Sequence, residues 1–300
     1  MRIASTKRFA EIGNRLRAYR IGSGISVQEV ADRMGVSVAA VYRYEKGEIV
    51  KIETVERLGQ LLAVPLSALM GMGIEHISNG LAFFERLRQI EESATSIIIM
   101  YGPVVYVLTS DEYAGVLEAA LAETEATDGN WATRDLRQLM ETLEARKAAF
   151  WRRRTSLVSI IAVSDIERFL ATGLVARTRM SEELSRARRS HAIREIRHLA
   201  ALVEKPPMGI QIALVHEQLP TSISQIIRRD EGDVVVSSPF RIGNLPNIRV
   251  GIATINDNPD VVRLYEDMAQ KLWNSAATGR EAHAILTDLL EKAEMDLVNR

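Results

Sequence analysis

The chain has 300 residues, 47% of them hydrophobic and 26% charged, and a formal net charge of −1. That length suggests two domains and enough chain to bury a core without staples. The absence of cysteine excludes disulfides, thiolate metal sites and cysteine nucleophiles, and the near-zero charge excludes a uniformly basic protein. The charge is nevertheless uneven. Residues 1–71 hold 11 Lys/Arg against 7 Asp/Glu, and the remainder is acidic. A small basic segment joined to a larger acidic one suits a module that meets phosphates and a partner that does not. The amino-terminal run MRIASTKRFAEIGNRLRAYR lacks an apolar signal-peptide core, so a cytoplasmic location is expected.

In chain order, residues 11–20 read as an amphipathic helix with Ile12, Leu16 and Tyr19 on one side, ended by Gly22 and Gly24. Ser26 is placed as a cap for the next helix, with Glu29 completing a capping box before Val30. Ala31 is small where two helices would cross, and Gly35 supplies the left-handed conformation of a tight turn. Ser37 caps a further helix with Val41 and Tyr44 inward, closed by Gly47. Residues 52–64 predict a fourth helix with Ile52, Val55, Leu58, Leu61 and Leu62 inward, and Pro65 starts a last short turn.

The pieces IGNRLRAYR, the Ala31 and Gly35 spacing, VSVAAVYRYEKGE and VERLGQLLAVPLSALMG resemble the phage-repressor and Cro-like helix-turn-helix family. The resemblance covers about a quarter of the chain, Ile12 to Gly71. It implies a five-helix domain that binds operator DNA as a dimer. By position it places Val38, Ala39, Tyr42 and Arg43 at base edges, with Arg43 able to fork onto a guanine. Ser26, Gln28, Ser37, Lys46 and Lys51 become phosphate contacts. One departure stands out: the glutamine that the family often carries after the Ser26 position is Val27 here.

Residues 72–80 read as a linker. Beyond it, helical patterns occupy 81–93, 112–126, 133–152, 182–204, 259–275 and 279–298. Short β-branched runs lie between them at 96–100, 104–108, 156–163, 210–215, 234–238 and 248–255. The expected fold is therefore an all-α five-helix domain (1–71) followed by a larger α/β domain around one sheet (81–300). The uncharged stretch 93–110 is split by Gly102-Pro103 and is too short in apolar residues for a membrane span. Two buried strands flanking a turn are the expectation. Within this region RLRQIEESATSIIIM and IRVGIATINDNPDVVRLYEDMAQKLWNSA are faintly similar to phospholipase-D-like sensor domains of sugar-responsive regulators. The catalytic HxK signature is missing: His191 is followed by Ala192, Ile193 and Arg194.

Three further constellations each have a functional and a bland reading. The arginines of 177–197 and of 152–154 could form an anionic effector site at Arg152, Arg153, Arg186 and Arg189. Alternatively they are solvated faces, helix-end charges beside Trp151, or oligomer contacts. On a helix Arg186, Arg189 and Arg197 would share part of a face. His191, Glu195 and His198 lie on one helical stripe, yet no metal is expected from so common a pattern. No P-loop, GxSxG, HExxH or dinucleotide fingerprint occurs, so neither an enzyme nor a cofactor is expected. The reading is a dimeric or higher homo-oligomeric transcriptional regulator with double-stranded DNA as partner and a small-molecule effector sensed by the second domain. The alternative is an antitoxin-like or scaffold protein acting through a protein partner.

Overall fold

The computed structural model describes residues 2–48, 51–71, 73–100, 102–128, 133–174, 180–219, 222–243 and 246–298. Five helices come first: α1 (Arg2–Gly22), α2 (Val27–Met34), α3 (Val38–Glu45), α4 (Ile52–Leu62) and α5 (Leu66–Met70). Their core is Ile12, Leu16, Val30, Ala31, Val41, Val55, Leu58 and Leu69, all buried. Leu61 and Tyr44 pack against it from half-buried positions. Ile52, expected inward, is 56% exposed; it stands one turn ahead of the buried stripe Val55, Leu58, Gly59 and Leu62.

The second part contains β1 (Glu75–Ile77), α6 (Gly80–Glu91), β2 (Ala94–Met100), α7 (Tyr113–Asp128), α8 (Thr133–Arg153), β3 (Ser156–Ala162) and α9 (Val163–Thr172). It continues with α10 (Glu182–Glu204), β4 (Ile210–Val215), β5 (Ile223–Arg229), β6 (Val234–Ser238), β7 (Ala253–Asn256), α11 (Pro259–Ser275), β8 (Ala277–Thr278) and α12 (Gly279–Val298). The strands form one mixed sheet in the order β1-β7-β6-β5-β2-β3-β4-β8. The pairs β2–β3 and β3–β4 are parallel and the others antiparallel. Strand alternation divides the apolar residues between two faces. Ile97, Ile99, Leu157, Ile161, Ile212 and Leu214 join the main core, with Leu87 of α6, Ile196 of α10 and Leu286 of α12. Met100, Ile160, Ala213, Ile226 and Val235 meet Val262 and Ala269 of α11 on the other face. No helix among the described residues is long and apolar enough to cross a membrane.

Two expectations are corrected. The run 104–108 is not a strand. Val104 to Leu108 are buried, and Tyr106–Leu108 form a 3-10 turn. The chain doubles back at Gly102-Pro103, but both edges of β2 are already taken by β3 and β5. Side chains satisfy the backbone instead: Trp151 Nε1 donates to Val107 O at 2.8 Å, Lys147 Nζ to Thr109 O at 2.8 Å, and His198 Nε2 to Leu108 O at 3.1 Å. Residues 72–80 are not simply a linker either. Glu75–Ile77 are β1, antiparallel to β7, because Glu75 and Ile77 both point inward and are buried.

Glu75 ties the two parts together. Its carboxylate accepts from Arg86 Nε of α6 and from Arg15 Nε of α1, each at 3.2 Å, and Arg86 Nη2 donates to Glu11 at 2.7 Å. Arg86 and Glu75 are 3% and 4% exposed. Asn79 Nδ2 donates to Gly22 O at 3.0 Å and Arg17 pairs with buried Glu85 at 3.3 Å along the same seam. Burial opposes ionisation of Glu11, but Arg86, joined by Arg15 and Arg229, outweighs it and holds the carboxyl below its ordinary value.

Removing one member of a buried ion cluster strands the others without compensation. Glu75→Gln is expected to cost about 3–5 kcal/mol in urea denaturation at neutral pH. A loss no larger than that of an exposed pair would show that the cluster does not hold the seam. A lowered Glu11 value in the folded state means that its contribution is complete above the ordinary carboxyl value of 4.5 and is lost as pH falls through the lowered one. Stability measured from pH 6 down to pH 3 should therefore fall less steeply in Glu11→Gln than in the parent.

Candidate nucleic-acid interface

The turn between α2 and α3 forms as its residues dictate. Ser26 Oγ accepts from Glu29 N at 3.1 Å, while Ser26 N donates to the Glu29 carboxylate at 2.7 Å, closing the capping box. That exchange draws the Glu29 carboxyl down from its ordinary value, chiefly through the Ser26 backbone N–H. Gly35 adopts φ 67° and ψ 38° at the carboxyl end of α2, a left-handed conformation that a Cβ disfavours. Ser37 Oγ then accepts from Ala40 N at 3.2 Å and starts α3.

Two contacts fix α3 against α1. A Cβ on Gly13 would stand 2.4 Å from Gly47 N and 2.7 Å from the carbonyls of Glu45 and Tyr44, so only glycine lets α1 approach this end of α3. Arg20 of α1 pairs with buried Glu45 and also donates to Ile25 O at 3.3 Å, joining α1, the α1–α2 turn and α3. Neither contact with α3 is apparent from sequence, because Tyr44, Glu45 and Gly47 lie 25 or more residues from their partners in α1 and Gly13 reads only as a weak point in a helix.

With α3 held this way, Ala40 and Val41 are buried and Ala39, Tyr42, Arg43 and Lys46 are exposed. These four follow helical spacing and form one outward stripe. Val38, expected at a base edge with Ala39, Tyr42 and Arg43, is half-buried and packs on the core, and Lys46, expected at a phosphate, is exposed. Among the expected phosphate contacts, Gln28 is exposed and donates to Asp32 Oδ1 at 2.9 Å, Ser37 and Lys51 are exposed, and half-buried Ser26 is engaged by Glu29.

The other constellations separate. Arg152 and Arg153 are exposed in the last turn of α8. Arg186 and Arg197 of α10 are exposed, but Arg189 is buried, so the shared open face expected for the three does not form. Arg188 beside it is also buried and donates to Val116 O at 2.9 Å and to Glu123 at 2.6 Å of α7. The packing of α10 against α7, α9 and α12 draws this side of the helix inward. The His191, Glu195 and His198 stripe is dispersed into structural roles. Glu195 accepts from Ser110 N at 2.9 Å and Ser110 Oγ at 2.6 Å, while His198 reaches Leu108 O. Burial pushes the His191 imidazole below its ordinary value, with Arg194 adding to the effect. Among the described residues no group of three His, Asp or Glu side chains is placed to hold a metal ion.

Residues 11–69 match the family model of a helix-turn-helix domain, about a fifth of the chain. No curated protein matches the sequence. Among solved structures, TrmBL2, described as an archaeal chromatin protein with a novel mode of DNA binding, is similar at 9% identity. The alignment covers 84% of this chain and 68% of that one, with a TM-score of 0.32, too remote to inform the fold.

The geometry of the turn predicts graded losses. Ser37→Ala removes a cap and should cost about 1 kcal/mol. Gly13→Ala forces a methyl against backbone that cannot move aside and should cost roughly 1–3 kcal/mol. Thermal unfolding of the two variants checks both, and a neutral Gly13→Ala would contradict the close approach of α1 and α3.

Proposed function

We propose that this chain is a cytoplasmic, non-enzymatic transcriptional regulator that binds a near-palindromic operator in double-stranded DNA as a homodimer. The second domain senses a small-molecule effector. The observation that carries the reading is the exposed stripe Ala39, Tyr42, Arg43 and Lys46, presented by a helix whose capped turn lies inside the helix-turn-helix match. A helix so presented enters the major groove.

Arg43 is the strong reader, able to donate twice to guanine acceptors. Tyr42 meets a base edge or phosphate, and Ala39 offers apolar contact to a thymine methyl. Val38 contributes through its exposed portion. Ser37, Gln28, Lys46 and Lys51 lie where phosphates flank the groove, and Ser26 joins them when a phosphate displaces Glu29 from the capping box. Few side chains here specify bases, so the expected operator is read at few positions.

The direct check is an electrophoretic mobility shift on DNA from upstream of the protein's own gene. Arg43→Ala should weaken specific binding by about 1–3 kcal/mol and relax preference at one base pair. Unchanged specific affinity would remove α3 from the groove. A stoichiometric co-purifying protein with no DNA binding would favour a scaffold instead.

A further inference from the structure

The helix-turn-helix surface is short of positive charge at one place. At the amino end of α2, Val27 offers no side-chain hydrogen bond, and Glu29 sets a carboxylate beside Ser26. A phosphate approaching Ser26 and Gln28 meets that carboxylate. The second domain reaches the same place. Asp135 of α8 lies with its Oδ1 4.0 Å from where a Cβ on Gly24 would stand, two residues before the cap. The charge of Glu29 is acted on by Arg33 of its own helix and, less strongly, by Arg134. Arg134 and Arg137 are both exposed and stand one helical turn apart, so they share a side of α8. Asp135 between them is turned toward the Gly24 turn.

The first half of α8 lies beside the helical domain. Gln138, Glu141 and Thr142 line one polar cleft with Asn14, Arg17 and Lys46. Further along, Arg146 holds Glu91 of α6 through two hydrogen bonds at 2.8 and 2.9 Å, and α6 carries Arg86 of the buried cluster. The position of Arg134 relative to α2 is thereby set by the same contacts that join the domains.

We propose that Arg134 and Arg137 are phosphate contacts supplied by the α/β domain, continuing the DNA interface beyond the amino end of α2. The proposal rests on the reading that α3 enters the major groove. It gives α8 a role in affinity without sequence information, since contacts to phosphates position a protein and carry no base code. It also means that the helix-turn-helix alone is an incomplete binder: beside Arg33 of α2, a second cation acting on Glu29 is borne by the other domain.

The test is fluorescence anisotropy of the full-length protein on its footprinted duplex and on an unrelated duplex, between 50 and 200 mM salt. R134Q/R137Q should weaken binding to both duplexes alike. It should also make the slope of log affinity against log salt shallower by up to about 1.8, at about 0.9 per lost phosphate contact. R134K/R137K should retain most of the slope. R263Q/K271Q on α11, an equal charge change on exposed residues, should leave affinity and slope unchanged. Parent-like affinity and slope in R134Q/R137Q, with Arg43→Ala still impaired, would overturn this proposal alone. A full-length parent that binds neither duplex would overturn it together with the reading of α3.

Discussion

The position of the helix-turn-helix depends on one buried carboxylate. Glu75 lies between Arg15 of α1 and Arg86 of α6, and Arg86 is in turn shared with Glu11. Charges taken out of water cost several kcal/mol each, and they are tolerated only while their partners remain in place. Separating α1 from α6 would expose or strand at least one of these ions. The seam therefore behaves as part of the interior, not as a loose junction between two domains. Tyr19 extends it by donating to His76 O at 3.4 Å, so β1 is held from the helical side as well as by β7.

Such a seam constrains how a signal can travel. A hinge would have to break the cluster, whereas a shift of α6 or α8 carries the helix-turn-helix along with it. Under the proposed function, an effector acts by its differential affinity for two arrangements of these helices. In a dimer, a small rotation of each protomer changes the separation of the two α3 helices, which must match the half-site spacing. Arg20 and Glu45 would convey such a rotation to α3 directly, because they bond it to α1.

Local chemistry was legible in the sequence, and long-range chemistry was not. The capping box at Ser26, the left-handed Gly35 and the Ser37 cap follow from residues within four positions of one another. The helical patterns at 81–93, 112–126, 133–152, 182–204, 259–275 and 279–298 likewise coincide with α6, α7, α8, α10, α11 and α12 to within a few residues. The failures share a cause. Residues 104–108 have strand composition but meet a sheet position already filled. Ile223–Arg229 pairs in the sheet as β5 although Ser224, Gln225, Arg228 and Arg229 break its apolar pattern. The 72–80 segment looks featureless because the meaning of Glu75 lies in Arg15 and Arg86. Arg189 carries a charge that suggests solvent, yet packing of α10 buries it. At the candidate site the outward positions of α3 came from the family resemblance, and Ala39, Tyr42 and Arg43 are exposed while Val38 turns partly inward. The nearness of Arg134 to Glu29 spans more than 100 residues and has no sequence signal.

On the proposed reading, the interface would read few bases and grip phosphates from two domains, a balance that favours affinity over base specificity. Hydroxyl-radical footprinting of genomic fragments bound by the full-length protein tests the DNA-binding claim most directly. Two protected half-sites about 10 base pairs apart, centre to centre or at a multiple of that spacing, related by approximate two-fold symmetry, are the expected result. Uniform protection without a preferred site, or none at physiological salt, would contradict it.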